Sequence, residues 1–260
     1  MTDQTPEENA GPVSEPEVET SAPAQQPAPP AAEVMVGLLT APGETFKRIA
    51  GKAGWACLIP LIILMVLGTA GGFIYLQRAD LAEVIRQQIK QNPRSAEMSE
   101  AQMDQAVEMG SKIGKAMTYA GFLVVAVKYL LVAAILWLVV LAFGDTITFP
   151  DTFRVVCWSQ LPNILFTLLF IVMMFVKDAT FLDPNNPVMS NLGAVFGQER
   201  LGKVGYAFLS DLDVFTLWML WLYTRGLAAF ANAKVGKMAA IVFGLYGIPV
   251  VLHLAKAAIF

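Results

Sequence analysis

The chain has 260 residues, of which 56% are hydrophobic and 15% are charged, so it is more apolar and less charged than an ordinary soluble domain. Its two cysteines and one histidine exclude a disulfide framework and a zinc site of the usual Cys/His composition. The net charge of −3 hides an uneven distribution, because residues 1–33 carry seven acidic and no basic side chains, which leaves +4 on the remainder.

Residues 1–32 are rich in Pro, Glu, Ala, Gln and Thr and contain almost no large apolar side chain. Such a segment buries too little surface to offset its ordering entropy, so we predict a disordered acidic tail. It lacks a basic start followed by an apolar core and is therefore not predicted to be a signal peptide. Two interpretations stay open, a solvated leader or a tail that binds a cytoplasmic protein partner.

The segment after the tail predicts a short helix at the membrane interface. An apolar patch over residues 34–39 stops at Pro42, and Phe46 and Ile49 then share one face of a helix that begins near Glu44. The lysines and the arginine of this helix lie on its other faces. This arrangement suits a helix in the interface with its cations toward lipid headgroups.

Long and mostly uncharged runs predict membrane-spanning helices, each needing about 20 predominantly apolar residues. The predicted spans are residues 55–76, 118–143, 155–176, 207–230 and 238–257. A polar loop over residues 78–116 has helical periodicity, with a capping box at Ser99 and Gln102. We therefore predict an all-α integral membrane helical bundle over residues 33–260, with five transmembrane helices, preceded by the disordered N-terminal tail.

The charges within these runs form a candidate site. Only eleven uncharged residues separate Asp213 from Arg225, so one or both lie inside the membrane edge, and their helix is expected to face protein on at least one side. Lys128 lies about 10 Å inside the second span. Because the second and fourth spans begin on the same membrane face, Lys128 lies at a depth in the membrane comparable to that of Asp213 or Asp211. A Lys128–Asp211/Asp213 ion pair and snorkelling of Lys128 to water are the two alternatives.

Polar side chains also cluster near the start of the third span, where Ser159, Gln160 and Asn163 flank Pro162. In lipid such groups need partners, so we expect them to hydrogen bond to other helices or to unwound backbone beside the proline.

A weak internal repeat relates the approaches to the first and third spans. Residues 42–47 (Pro-Gly-Glu-Thr-Phe-Lys) are echoed by residues 150–154 (Pro-Asp-Thr-Phe-Arg), although chance similarity is an alternative. Cys57 and Cys157 occupy similar points in the two spans. They are either neighbours or simply buried, inert thiols.

Three stretches together carry a family resemblance: residues 39–47, residues 144–162 and residues 212–227. Over residues 37–258 the chain resembles the bacterial branch of the Ypt/Rab-interacting-protein (Yip) domain family of five-span membrane proteins. The matching positions are Pro42, Thr45, Phe46, Thr152, Phe153, Pro162, Asp213, Phe215, Trp218 and Gly226. The stretch Leu212-Asp-Val-Phe-Thr-Leu-Trp218 is the most specific of them.

The resemblance implies five spans, a cytoplasmic N-terminus and an external or lumenal C-terminus. Eukaryotic members take part in vesicle traffic and bind small prenylated GTPases, whereas bacterial relatives have no generally assigned activity. The acidic tail and the loop at residues 78–116 look like local elaborations. Lysine and arginine counts in the short loops favour the N-terminus inside by a small margin. The expected location is a bacterial cytoplasmic membrane.

The sequence favours a non-catalytic scaffold or adaptor, with the lipid bilayer and a cytoplasmic protein as partners. The alternative is a transporter or channel subunit that uses Lys128 with Asp211 and Asp213 as an intramembrane pair. An intramembrane enzyme is disfavoured by the single histidine and the lack of GxSxG or HExxH motifs. We predict no catalytic residue, cofactor, metal site or nucleic-acid partner, and leave the oligomeric state open.

Overall fold

The structure is a computed structural model that describes residues 29–52, 54–90, 98–178, 180 and 187–259. Within these ranges it consists of α-helices, a 3₁₀ turn at Trp55–Cys57 and an isolated bridge between Asn191 and Asp213. The prediction of an all-α fold is confirmed. Most of the predicted tail lies outside the described residues, and its last two residues already belong to the first helix.

Twelve helices are described. They are α1 Ala31–Thr40, α2 Pro42–Ile49, α3 Leu58–Arg78, α4 Leu81–Lys90, α5 Glu100–Tyr119, α6 Gly121–Ala142, α7 Phe149–Trp158, α8 Leu161–Val176, α9 Leu192–Phe196, α10 Gln198–Ser210, α11 Val214–Phe230 and α12 Val235–Ile259.

Among the residues that the structure describes, four stretches are long and apolar enough to cross a membrane. They are Trp55–Arg78, Gly121–Ala142, Phe149–Val176 and Val235–Ile259. They correspond to the first, second, third and fifth predicted spans, with ends that differ by a few residues. The chain is therefore a multi-pass membrane protein.

The fourth predicted span is shorter than expected. Residues 207–230 are divided between α10 and α11, because the chain is extended at Asp213, whose side chain caps the first turn of α11. With 17 residues, α11 is shorter than the four long stretches. Its length is about 25 Å, against a hydrocarbon core of about 30 Å.

The third predicted span begins earlier than expected and is interrupted. Its helix α7 begins at Phe149, where the Thr148 side chain caps the backbone N–H of Asp151. The helix breaks at Ser159 and Gln160, immediately before α8. Pro162 lies in the first turn of α8, where its missing N–H is tolerated and the preceding turn cannot continue through it.

Five apolar units of the bundle form a ring that is completed by a looser contact between α6 and α12. Along this ring α6 packs against α3, α3 against α8, α8 against α11, and α11 against α12. One end of the ring is closed by α7, which contacts α3, α6 and α11. The ring surrounds most of the apolar core, which is continuous from Leu38 and Phe46 through Val155 to Leu222 and Met238.

The predicted interfacial helix packs on protein. The apolar face of α2, with Phe46 and Ile49, is buried and lies against α11, whereas its cations Lys47 and Arg48 are exposed. A position at the membrane interface stays a prediction, but the apolar face of the helix contacts protein. The reason is that α11 offers a glycine, Gly226, that lets the Phe46 ring approach its backbone closely.

Two helices, α4 and α5, lie within the predicted polar loop. Ser99 and Gln102 form both hydrogen bonds of the capping box at the start of α5. The two helices α4 and α5 pack along Leu81 and Ile85, which lie over the glycines at 114 and 110. Together they form a helical hairpin beyond the end of α3.

Candidate functional site

A polar network lies at the centre of the bundle. Gln160 is fully buried, and its Nε2 donates to the Val156 carbonyl at 2.6 Å and to the Tyr223 hydroxyl at 3.1 Å. The Nδ2 of Asn163 donates to Gln160 Oε1 at 2.8 Å and to the Tyr129 hydroxyl at 3.1 Å. The network thus joins α6, α8 and α11 and satisfies amide groups that lipid would leave unpaired.

Two of the three polar side chains of this cluster find partners as expected, whereas the hydroxyl of Ser159 is buried and makes no hydrogen bond to any residue that the structure describes. Gln160 and Asn163 bond to other helices, and Gln160 also bonds to backbone in the turn before Pro162. Tyr129 and Tyr223 were not anticipated from the sequence. The available signal was the position of each phenol inside a long apolar run, because a buried tyrosine hydroxyl usually needs a hydrogen-bond partner.

A cavity of about 630 Å³ opens beside this network. All five helices of the ring contribute to its wall, which is mostly apolar but includes the polar groups of Lys128, Tyr129, Asn163, Tyr223 and Tyr246. Its size lies within the range of about 300–1,000 Å³ that is usual for ligand pockets. This cavity is the candidate functional site.

The predicted ion pair is not formed. Among the residues that the structure describes, Lys128 makes no ion pair, and its ammonium lies 5.2 Å from the centre of the Tyr129 ring. Both acids are engaged elsewhere. Asp211 lies 3.0 Å from Nδ1 of His253, and its carbonyl accepts from the Tyr246 hydroxyl at 2.6 Å.

Asp213 acts as a helix cap. Its Oδ1 accepts from the backbone N–H groups of Phe215 and Thr216, each at 3.0 Å, and its other oxygen accepts from the Ser190 hydroxyl. A carboxylate at this position accepts hydrogen bonds from N–H groups that have no partner within the helix, and its negative charge is stabilised by the positive end of the helix dipole. The hydrogen bonds of Asp213 are therefore made to Ser190 and to the first turn of α11 rather than to Lys128.

At the opposite end of α11, Arg225 lies against the N-terminal helices. Its guanidinium occupies the space beside Gly43, where an added Cβ would lie 1.9 Å from the nitrogen, so a glycine is needed for this contact. The guanidinium carbon is 5.4 Å from the centre of the Trp221 ring. Arg225 thus links α2 to α11 at one face of the bundle.

Two copies of the weak repeat meet at α11. In each copy the threonine, Thr45 or Thr152, is buried and its hydroxyl donates to the carbonyl four residues earlier. A Cβ at Gly226 would lie 2.5 Å from Val155 in α7 and 3.1 Å from Phe46 in α2. The two segments therefore begin helices in the same way and pack on the same glycine.

The model of the Yip1 domain matches residues 36–257, which is most of the chain. The chain belongs to the Yip1 domain family. No curated protein and no solved structure matches it.

The family-like positions of this Yip1 domain cluster around α11. Phe46, Thr152 and Gly226 lie in or against the core beside it, and Asp213 caps its first turn. Phe215 and Trp218 lie on α11 itself. Pro42 begins α2 and Pro162 lies in the first turn of α8, whereas Thr45 and Phe153 belong to the two copies of the repeat.

The polar network should contribute measurably to stability. We expect Gln160→Leu to lower the free energy of unfolding by about 1–2 kcal/mol, because the Tyr223 hydroxyl and the Asn163 amide each lose a partner. Combining it with Tyr223→Phe in a double-mutant cycle should give a coupling energy above zero. Thermal unfolding in one detergent measures all variants. Tyr119→Phe, the same change at an exposed tyrosine, is the matched control; additive losses would show that the network carries no coupling.

Proposed function

We propose that this Yip1 domain protein is a non-catalytic membrane scaffold or adaptor that holds a soluble protein at the cytoplasmic face of a bacterial inner membrane. One observation carries the proposal: the α1–α2 hairpin is docked on the bundle. Its side chains Val34, Leu38 and Phe46 are at most 1% exposed. The segment that follows the acidic tail therefore has a defined position on the membrane domain.

The outer surface of this hairpin has the character of a binding surface. Val36 is 60% exposed and Leu39 is 49% exposed. Around them lie exposed ion pairs, Arg48 with Glu33 at 2.6 Å and Lys47 with Glu44 at 3.1 Å. Apolar side chains with a charged rim are typical of protein interfaces. Residues 1–28, which precede this hairpin, carry six acidic and no basic side chains.

The proposed topology has five crossings. The α1–α2 hairpin, the loop between α6 and α7 and the turn between α11 and α12 lie at one end of the bundle, where Phe46 contacts Phe230 and Lys237 bonds to the Phe143 carbonyl. In this arrangement α11 is the fourth of the five crossings, with Asp213 at its far end. Most short-loop cations lie at the hairpin end, which supports a cytoplasmic N-terminus.

The alternative, a transporter or channel subunit, is favoured by the cavity within the ring. Its predicted charge pair is not formed, since Asp211 and Asp213 bond to His253 and to the α11 backbone. The cavity and Lys128 are its remaining support. A transporter of this kind would lose flux in Lys128→Met, whereas an adaptor would retain its partner.

The adaptor proposal predicts that a specific partner is captured from the hairpin surface. A photo-crosslinking residue in place of Val36 should capture one soluble protein in native membranes, and deletion of residues 1–28 should reduce that capture. The matched control places the crosslinker at Leu252, which is 66% exposed on α12. Capture of membrane neighbours alone from both positions would contradict the proposal, and identification by mass spectrometry decides between the outcomes.

A further inference from the structure

We infer that the cavity binds an anionic phospholipid taken laterally from the bilayer, with its phosphate at Lys128. The first observation is the side on which the cavity opens. Of the residues that line it, the exposed ones are Lys128, Ile135 and Pro249, which lie on α6 and α12. The opening is therefore between these two helices.

The opening faces hydrocarbon. On α6 its flanks include Leu131 and Leu138, and on α12 they include Ile248 and Val251, each more than half exposed and apolar. The two helices are tied together at the hairpin end, where Lys237 bonds to Asp145 and to the Phe143 carbonyl. Molecules that reach such an opening come from the membrane rather than from water.

The lining matches a lipid in shape and polarity. Leu64, Val132, Leu136 and Val242 give apolar wall for an acyl chain, and the volume of about 630 Å³ is large enough for a bound ligand. The amide of Asn163 and the hydroxyls of the lining tyrosines form a limited polar floor. An apolar wall with few polar groups is the usual composition of a site for an amphiphile.

The charge of Lys128 selects the sign of the headgroup. It is the single Lys, Arg, Asp or Glu of α6, seven residues after Gly121 and so about 10 Å along the helix. Intramembrane charges are normally paired, yet the nearby acids Asp211 and Asp213 are already bonded to other groups. A lipid phosphate supplies the counter-charge that the described part of the chain does not.

Lipid retention tests the proposal. The full chain is purified in a neutral detergent and mixed with equal amounts of palmitoyl-oleoyl phosphatidylglycerol and the matching phosphatidylcholine, and bound lipid is counted by native mass spectrometry. We expect a preference for phosphatidylglycerol that falls about fivefold in Lys128→Met, the effect of one lysine near an anionic lipid. Lys115→Met, on α5 and outside the cavity, should keep the preference.

A second variant tests the cavity without touching the charge. Gly68 lines the cavity and has no atom within 4 Å of an added Cβ, so Gly68→Phe fills the space and should reduce retention of both lipids. Gly244→Phe, equally uncrowded but outside the lining, should not. Equal binding of the two lipids by the wild-type chain, or a preference unchanged in Lys128→Met, would overturn the proposal. Displacement of the lipid by inorganic phosphate, or capture of a protein helix in its place, would also overturn it.

Discussion

Phe46→Ala should lower the free energy of unfolding by about 3–5 kcal/mol, the largest effect expected of any single change described for this protein. The Phe46 ring is 0% exposed and packs against Gly226 and, edge to face at 6.5 Å, against Phe230. Its removal leaves a cavity between α2 and α11 that neither rigid helix can close. Thermal and denaturant unfolding in detergent measure the loss.

The matched control is Val36→Ala in the same hairpin. Val36 is 60% exposed, so we expect its loss to change the free energy of unfolding by no more than about 0.5 kcal/mol. Hydrogen exchange gives a second readout, since the amides of α1 and α2 should lose protection in Phe46→Ala before those of α3. Equal effects of the two substitutions would mean that the hairpin is not docked on α11 as described.

Gly226→Ala should also lower the free energy of unfolding, because the added methyl group crowds its neighbours. The added Cβ would lie 2.5 Å from Val155 and 3.1 Å from Phe46, both of which are 0% exposed and have no room to move. Overpacking of this kind costs about 1–3 kcal/mol, and the better helix propensity of alanine offsets about 1 kcal/mol of that cost. We expect a net loss of stability and a shift of α2 away from α11.

Gly244→Ala separates crowding from propensity. Gly244 is also inside a membrane helix, but an added Cβ meets no atom within 4 Å. The same substitution there should be neutral or slightly stabilising. If Gly226→Ala were equally benign, the close contact of α2 and α7 on this glycine would be wrong, and the Yip1 motif would need another physical explanation.

The failure of the predicted Lys128 pair has a simple cause. Helical spacing gave the depth of Lys128, Asp211 and Asp213 in the membrane, but depth alone does not say which way each side chain points around the bundle. Local chemistry also competed for the acids. An aspartate immediately before a helix is drawn to the unpaired N–H groups of the first turn, which is where Asp213 lies.

The division of the fourth predicted span follows from the same residue. The hydropathy of residues 207–230 suggested one continuous crossing, yet a capping aspartate starts a new helix at Val214. A capping side chain marks a helix start at both Ser99 and Asp213, but the apolar character of residues 207–230 favoured one continuous helix over a new start at Val214.

Local sequence was sufficient for the parts of this protein that depend on near neighbours. Apolar run length placed the four long helical stretches, because a backbone in lipid must satisfy its hydrogen bonds within the helix. A capping box placed the start of α5. Tertiary packing decided the rest. The docking of Phe46 on Gly226, the network from Tyr129 to Tyr223 and the lateral cavity at Lys128 depend on which faces of distant helices meet. Helical periodicity predicts which face of a helix is apolar, but it does not predict which other helix packs on that face. The packing partner is decided by the shapes and hydrogen-bonding groups of all the helices in the bundle.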